Sequence, residues 1–167
     1  MRTTGFLLGM LLCGTTLFGQ QKDWGGFDRY REANRTAKQD AEAVFMGNSI
    51  TEGWARMRPG FFADNGYIGR GISGQTSAEM LARFRPDVIE LAPKAVVILA
   101  GTNDIAQNNG PIELENVMDN IASMCELARL HNIRVLLCSV LPAAAFPWRE
   151  GIKPADSIIR LNAMIEA

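Results

Sequence analysis

Three short segments of this chain combine glycine with groups that can attack or polarise a carbonyl. Gly47-Asn48-Ser49-Ile50-Thr51 sets a serine hydroxyl on a sharp glycine turn. Gly69-Arg70-Gly71-Ile72-Ser73-Gly74-Gln75-Thr76 offers backbone amides with no side chain in the way, and Gly101-Thr102-Asn103-Asp104 offers a side-chain amide. A hydroxyl becomes a nucleophile when a base takes its proton, and N–H groups aimed at one point stabilise the oxyanion that then forms. Taken singly, each segment also reads as a plain turn or helix cap, because Gly, Asn and Ser all favour such positions. Their chemistry depends on where the fold puts them.

The surrounding sequence predicts that fold. Ala41 to Met46 is a short apolar run closed by Gly47, and Gly66 to Arg70 suits a second short strand. Lys94 to Ala100 and Ile133 to Val140 are continuous apolar runs of the kind buried on both faces. Between them lie helical patterns. Trp24, Phe27, Tyr30 and Ala33 recur at three-residue steps, which predicts an amphipathic helix from Trp24 to about Ala37. Thr51 to Met57 has the look of a helical turn, and Thr76-Ser77-Ala78-Glu79 fits a capping box opening a helix with Met80, Leu81, Phe84 and Val88, which Pro86 breaks. Leu114, Val117, Ile121, Met124 and Ala128 keep helical spacing, and Pro154 suits the first turn of a helix carrying Ile158, Leu161 and Ile165. Strands alternating with helices predict an α/β fold, a doubly wound parallel sheet between helices. Such sheets bind ligands beyond the carboxyl ends of their strands, where all three segments fall. At one edge, a serine, a glycine amide and an asparagine amide together supply a nucleophile and oxyanion donors.

Composition narrows the classes. The 167 residues are 47% apolar and 21% charged, which fits a globular chain, and the length suits one domain. A net charge of −1 leaves no basic excess for nucleic acid or an anionic membrane surface. A single histidine, His131, excludes His-rich zinc sites. Residues 1–20 have a charged start at Arg2, a short apolar run and a small residue at Gly19, which resembles a secretory signal peptide and predicts a secreted or periplasmic protein. The competing reading is a buried N-terminal helix. The run is too short to span a bilayer, so no stable membrane insertion is expected, and Leu12 before Cys13 does not suit a lipidation signal. Residues 21–167 then form the domain, with Cys125 and Cys138 expected to be free thiols in a helix and a strand.

In order and spacing, Val44-Phe45-Met46-Gly47-Asn48-Ser49, the Gly69 to Thr76 block, Ala100-Gly101-Thr102-Asn103-Asp104 and Ser139-Val140-Leu141-Pro142 resemble the SGNH or GDSL hydrolases. These are serine esterases and acylhydrolases on a flavodoxin-like three-layer α/β/α sheet. The resemblance implies that Ser49 is the nucleophile, that Gly74 and Asn103 complete an oxyanion hole with the amide of Ser49, and that no cofactor or metal is needed. Asn48 stands where many members have aspartate, a variation associated with the acetylhydrolase-like branch. That branch implies deacetylation of a carbohydrate or another small acyl ester. Trp148, after the fourth strand, could stack on a sugar face or simply cover the core.

One block departs from the pattern. The family's Asp-x-x-His, which gives the base and its orienting acid, is absent from these residues, which implies that the last strand and catalytic loop are missing and that this chain is inactive alone. His131 precedes the fourth strand, on the order of 20 Å from Ser49 for seven residues at roughly 3.3 Å each, whereas a base works near 3 Å. Asp104 and Asp156 are acids without a histidine to orient.

Two other classes compete. Gly69-x-Gly71-x-x-Gly74 also matches a dinucleotide fingerprint, but it follows the second strand and no acid ends the next one. A non-catalytic carbohydrate-binding module on the same fold would need the hydroxyl and amides but no base. An in-frame Asp-x-x-His downstream of codon 167 favours the enzyme, and a stop codon the module or a degraded gene.

Overall fold

A computed structural model describes residues 23–37 and 39–167. The signal-peptide segment lies outside the described residues. Four parallel strands, β1 (Ala43–Gly47), β2 (Tyr67–Gly71), β3 (Ala95–Leu99) and β4 (Arg134–Leu137), form one sheet in the order β2-β1-β3-β4. Helices α1 (Arg31–Thr36), α2 (Ser49–Met57), α3 (Pro59–Asp64), α4 (Ser77–Ala82), α5 (Phe84–Asp87), α6 (Thr102–Ile105), α7 (Leu114–Leu130) and α8 (Ala155–Glu166) alternate with them and flank the sheet in a three-layer α/β/α arrangement. The expected fold class is therefore present.

Strand periodicity divides the interior. Val44 and Met46 of β1, with Val96 and Ile98 of β3, enter an aliphatic core with Met80, Phe84 and Ile121. Phe45 points to the other face and meets the rings of Trp54, Phe62 and Tyr67 at centroid distances of 5.4, 5.2 and 5.1 Å. Helices α2 and α3 lie against this aromatic face, packed on β1 and β2.

Several element limits differ from the sequence reading. The helix expected from Trp24 is confined to α1, because the Asp23 carboxylate accepts from the amides of Phe27 and Asp28 and Gly26 takes φ +70°, folding the chain into turns instead. The break assigned to Pro86 falls earlier, between α4 and α5. Pro86 has no N–H to give the carbonyl of Ala82, the last residue of α4. β4 is shorter than its apolar run and is not buried on both faces. It pairs only with β3 among the described residues, and Leu136 stays 44% exposed. Pro59 at the start of α3 was the unread signal for that helix. The thiols of Cys125 and Cys138 are unbonded.

The helix that follows β1 packs against β2 with no room for a side chain at Gly71. A Cβ on Gly71 would lie 2.2 Å from the Glu52 amide nitrogen and 2.7 Å from the Asn48 carbonyl oxygen, both backbone atoms that cannot swing aside. Gly71 therefore lets the first turn of α2 rest directly on β2. Gly71→Ala should lower unfolding free energy by about 3 kcal/mol, read from a urea midpoint, because overpacking against backbone has no side-chain escape.

Candidate active site

The register levels the carboxyl ends of the three strands that matter. Gly47 lies opposite both Gly71 and Leu99, so the loops after β1, β2 and β3 leave the sheet side by side, with the Ser49 loop in the middle. Asn48 is buried and accepts from the Ile50 amide at 3.0 Å, capping α2. Ser49 is thereby the first residue of the helix, exposed, with an amide that has no acceptor inside the helix and points out of its positive end.

The second loop is a tight turn closed by the Gln75 amide donating to the Ile72 carbonyl at 3.3 Å. Gly74 takes the third position with φ +82°, a conformation that suits glycine. Glu52 steadies the turn by accepting from the Ser73 amide at 3.0 Å while pairing with Arg29 at 2.7 Å. From the third loop, the buried Asn103 side chain donates through Nδ2 to the Gln75 carbonyl at 2.9 Å, which ties α6 to the residue following Gly74. One proton of that amide is thus committed, leaving the other free to donate elsewhere.

Asp104 is buried beside Asn103 but faces away from this chemistry. Its oxygens accept from the Ser77 amide, both at 3.0 Å, and one takes the Ser77 hydroxyl at 2.6 Å, which anchors the N-terminus of α4. Burial raises its pKa, opposed by those Ser77 hydrogen bonds. Asp156 is exposed in the first turn of α8. His131 caps α7 and precedes β4, at the amino edge of the sheet, opposite the Ser49 loop.

Trp148 lies on a turn in which the Arg149 amide donates to the Phe146 carbonyl at 3.0 Å, with Pro147 at the second position. One ring face stacks on buried Phe146 at 5.0 Å, yet 55% of the residue stays exposed, so it both covers the core and presents a free face. Its Nε1 donates to Asn108 Oδ1 at 3.3 Å, and Asn108 Nδ2 donates to the Gly74 carbonyl at 2.9 Å, linking Trp148 to the second loop. Asn108 escaped the sequence reading because an asparagine in a polar turn carries no special pattern. A cavity of about 540 Å³ opens along the outer edge of β2, lined by residues including Ala33, Phe62 and Tyr67, and it does not reach Ser49.

The GDSL-like lipase/acylhydrolase family model matches residues 45–167, which takes in all three loops. The chain belongs to this family. A GDSL-like lipase from Bacteroides thetaiotaomicron is 54% identical with a TM-score of 0.83, over 85% of this chain and 72% of that one. A proposed acylhydrolase from Bacteroides fragilis is 50% identical with a TM-score of 0.85, over 87% of this chain and 73% of that one. Esterase TesA of Pseudomonas aeruginosa is 34% identical over 105 residues, 60% of this chain. This GDSL-family chain spans 51% of the length of TesA. No helix among its described residues is long and apolar enough to cross a membrane.

Proposed function

We propose that the complete protein is a carboxylic ester hydrolase in which Ser49 is the nucleophile. The observation that carries this reading is the position of Ser49 at the start of α2, on the middle one of three adjacent loops whose neighbours bear Gly74 and Asn103. The Ser49 oxygen attacks the ester carbonyl and its proton passes to a general base. The negative charge that develops on the carbonyl oxygen is held by the amides of Ser49 and Gly74 and the side-chain amide of Asn103. Collapse expels the alcohol, which takes the proton back, and water releases the acyl group from Ser49 by the same path. His131 is not that base, since it caps the far end of α7. The alternative, a carbohydrate-binding module on the same fold, would use the loops without any base.

The substrate is a small acyl ester, most simply an acetyl group on a sugar. The free face of Trp148, joined through Asn108 to the Gly74 loop, suits a sugar ring lying against the alcohol side of the ester. Residues 1–20 would direct the protein to the periplasm or the medium, where such polymers are met. The full-length gene product should turn over p-nitrophenyl acetate faster than p-nitrophenyl octanoate. Trp148→Ala should raise KM for an acetylated oligosaccharide while leaving p-nitrophenyl acetate nearly unaffected. Faster octanoate turnover would remove the short-acyl assignment, and no measurable turnover of either ester would favour the binding module.

A further inference from the structure

Arg83 is the largest side chain that is wholly buried, and none of the three loops contains it. A guanidinium without water is costly unless its nitrogens are engaged, and here each of the three donates, four hydrogen bonds in all. Nη1 pairs with Asp87 Oδ2 at 2.7 Å. Nη2 donates to the carbonyls of Gly47 at 3.2 Å and Arg70 at 2.9 Å, the ends of β1 and β2. Nε donates to Gln75 Oε1 at 2.6 Å. Burial lowers the pKa of Arg83, and its hydrogen bond to the Asp87 carboxylate opposes the shift.

Gln75 completes the span. Its Nε2 donates to the Gly25 carbonyl at 2.9 Å, and its own carbonyl is the acceptor that holds Asn103 Nδ2. All of its polar atoms are therefore committed, and it stands between Gly74 and Asn103. Asp87 is itself braced, taking Asn34 Nδ2 at 2.6 Å on its other oxygen, while Asn34 Oδ1 accepts from Arg70 Nε at 2.9 Å. The sequence contained one signal for this network: Arg83 and Asp87 are four residues apart on the same face as Met80 and Phe84, where a solvated pair would not be expected.

We propose that Arg83 and Gln75 are positioning residues, a buried strut that fixes the Asn103 amide before substrate arrives. The proposal rests on the esterase reading and deepens it by naming what sets the oxyanion donor. A rigid donor gains transition-state stabilisation because nothing reorganises as the charge forms. Displacing a group by about 1 Å can cost about 100-fold in rate, and the Gln75 side chain, held by Arg83 and the Gly25 carbonyl, sets the backbone carbonyl that holds the Asn103 amide.

The test is a double-mutant cycle in the full-length gene product. Gln75→Ala should lower kcat on p-nitrophenyl acetate about 100-fold with KM within about twofold of the parent, since a transition-state interaction alone is lost. Asn103→Ala should lower kcat too, and the double variant should be no slower than Asn103→Ala, because the two act through one amide. A general loss of packing would multiply the two effects instead. If Gln75→Ala is unfolded at the assay temperature by its thermal melt, Arg83→Lys enters the same cycle. Lysine keeps a charge beside Asp87 but cannot reach four acceptors from one plane. Parental kcat in the folded variant, or losses that multiply, would overturn the strut. Ser49→Ala run alongside keeps the two ideas apart: turnover surviving in it removes the serine mechanism, whereas an inactive Ser49→Ala beside a fully active Gln75→Ala removes only the strut.

Discussion

Ser49→Ala in the full-length gene product should lose ester turnover by on the order of 10⁶ in kcat, the scale seen when a serine hydrolase loses its nucleophile. The oxyanion donors survive the substitution, so substrate can still bind and be polarised, but nothing attacks it within the protein. The fold should not notice. Ser49 is exposed, and surface changes of this kind stay within about 0.5 kcal/mol. Burst kinetics with p-nitrophenyl acetate give a second readout, because the parent should release one equivalent of nitrophenol as the acyl-enzyme forms and the variant none. Retained turnover in Ser49→Ala, with an unchanged melt, would exclude this serine.

The 167-residue polypeptide assayed alone should be slower than the full-length gene product by several powers of ten. An unassisted serine hydroxyl is a poor nucleophile, and donors with bound-substrate positioning keep only about 10³ to 10⁴ over water in other serine hydrolases. His131 cannot supply the missing proton transfer from the amino edge of the sheet. Leu136, Leu141 and Ile159 are exposed around the β4 side of the molecule, so the same preparation should also self-associate, which size-exclusion chromatography reads directly. Equal activity in the two proteins would mean that some group among these residues acts as the base.

The elements that hold the site were largely legible because their signals are local. Continuous apolar runs at Lys94 to Ala100 and Ala41 to Met46 gave β3 and β1 to within a few residues, and the Thr76 to Glu79 capping box is present in full at the start of α4. The loops after β1, β2 and β3 were placed at one edge by the rule for parallel sheets rather than by any single residue. What escaped is non-local. Gly71 reads as one more turn glycine until the first turn of α2 is seen resting on it, and Arg83 reads as one more helical cation until four acceptors surround it. The α1 region misled for a related reason: apolar spacing was right for packing, but Asp23 and Gly26 turn the chain before a helix can run. The place of Trp148 after the fourth strand was legible, while its tie through Asn108 to the Gly74 loop is visible only in the folded chain.

The strand order has a consequence for how such a protein comes into being. β1 lies between β2 and β3, and both partners follow it, the second of them beyond two further helices. Each pairing must close a long loop before any parallel hydrogen bonds reward it, so the sheet belongs to the slow, high-contact-order class of folds. The helices can form early from short-range contacts, whereas the three loops meet only once β1 is held on both sides. The candidate site is therefore assembled late in folding, once β3 has docked beside β1.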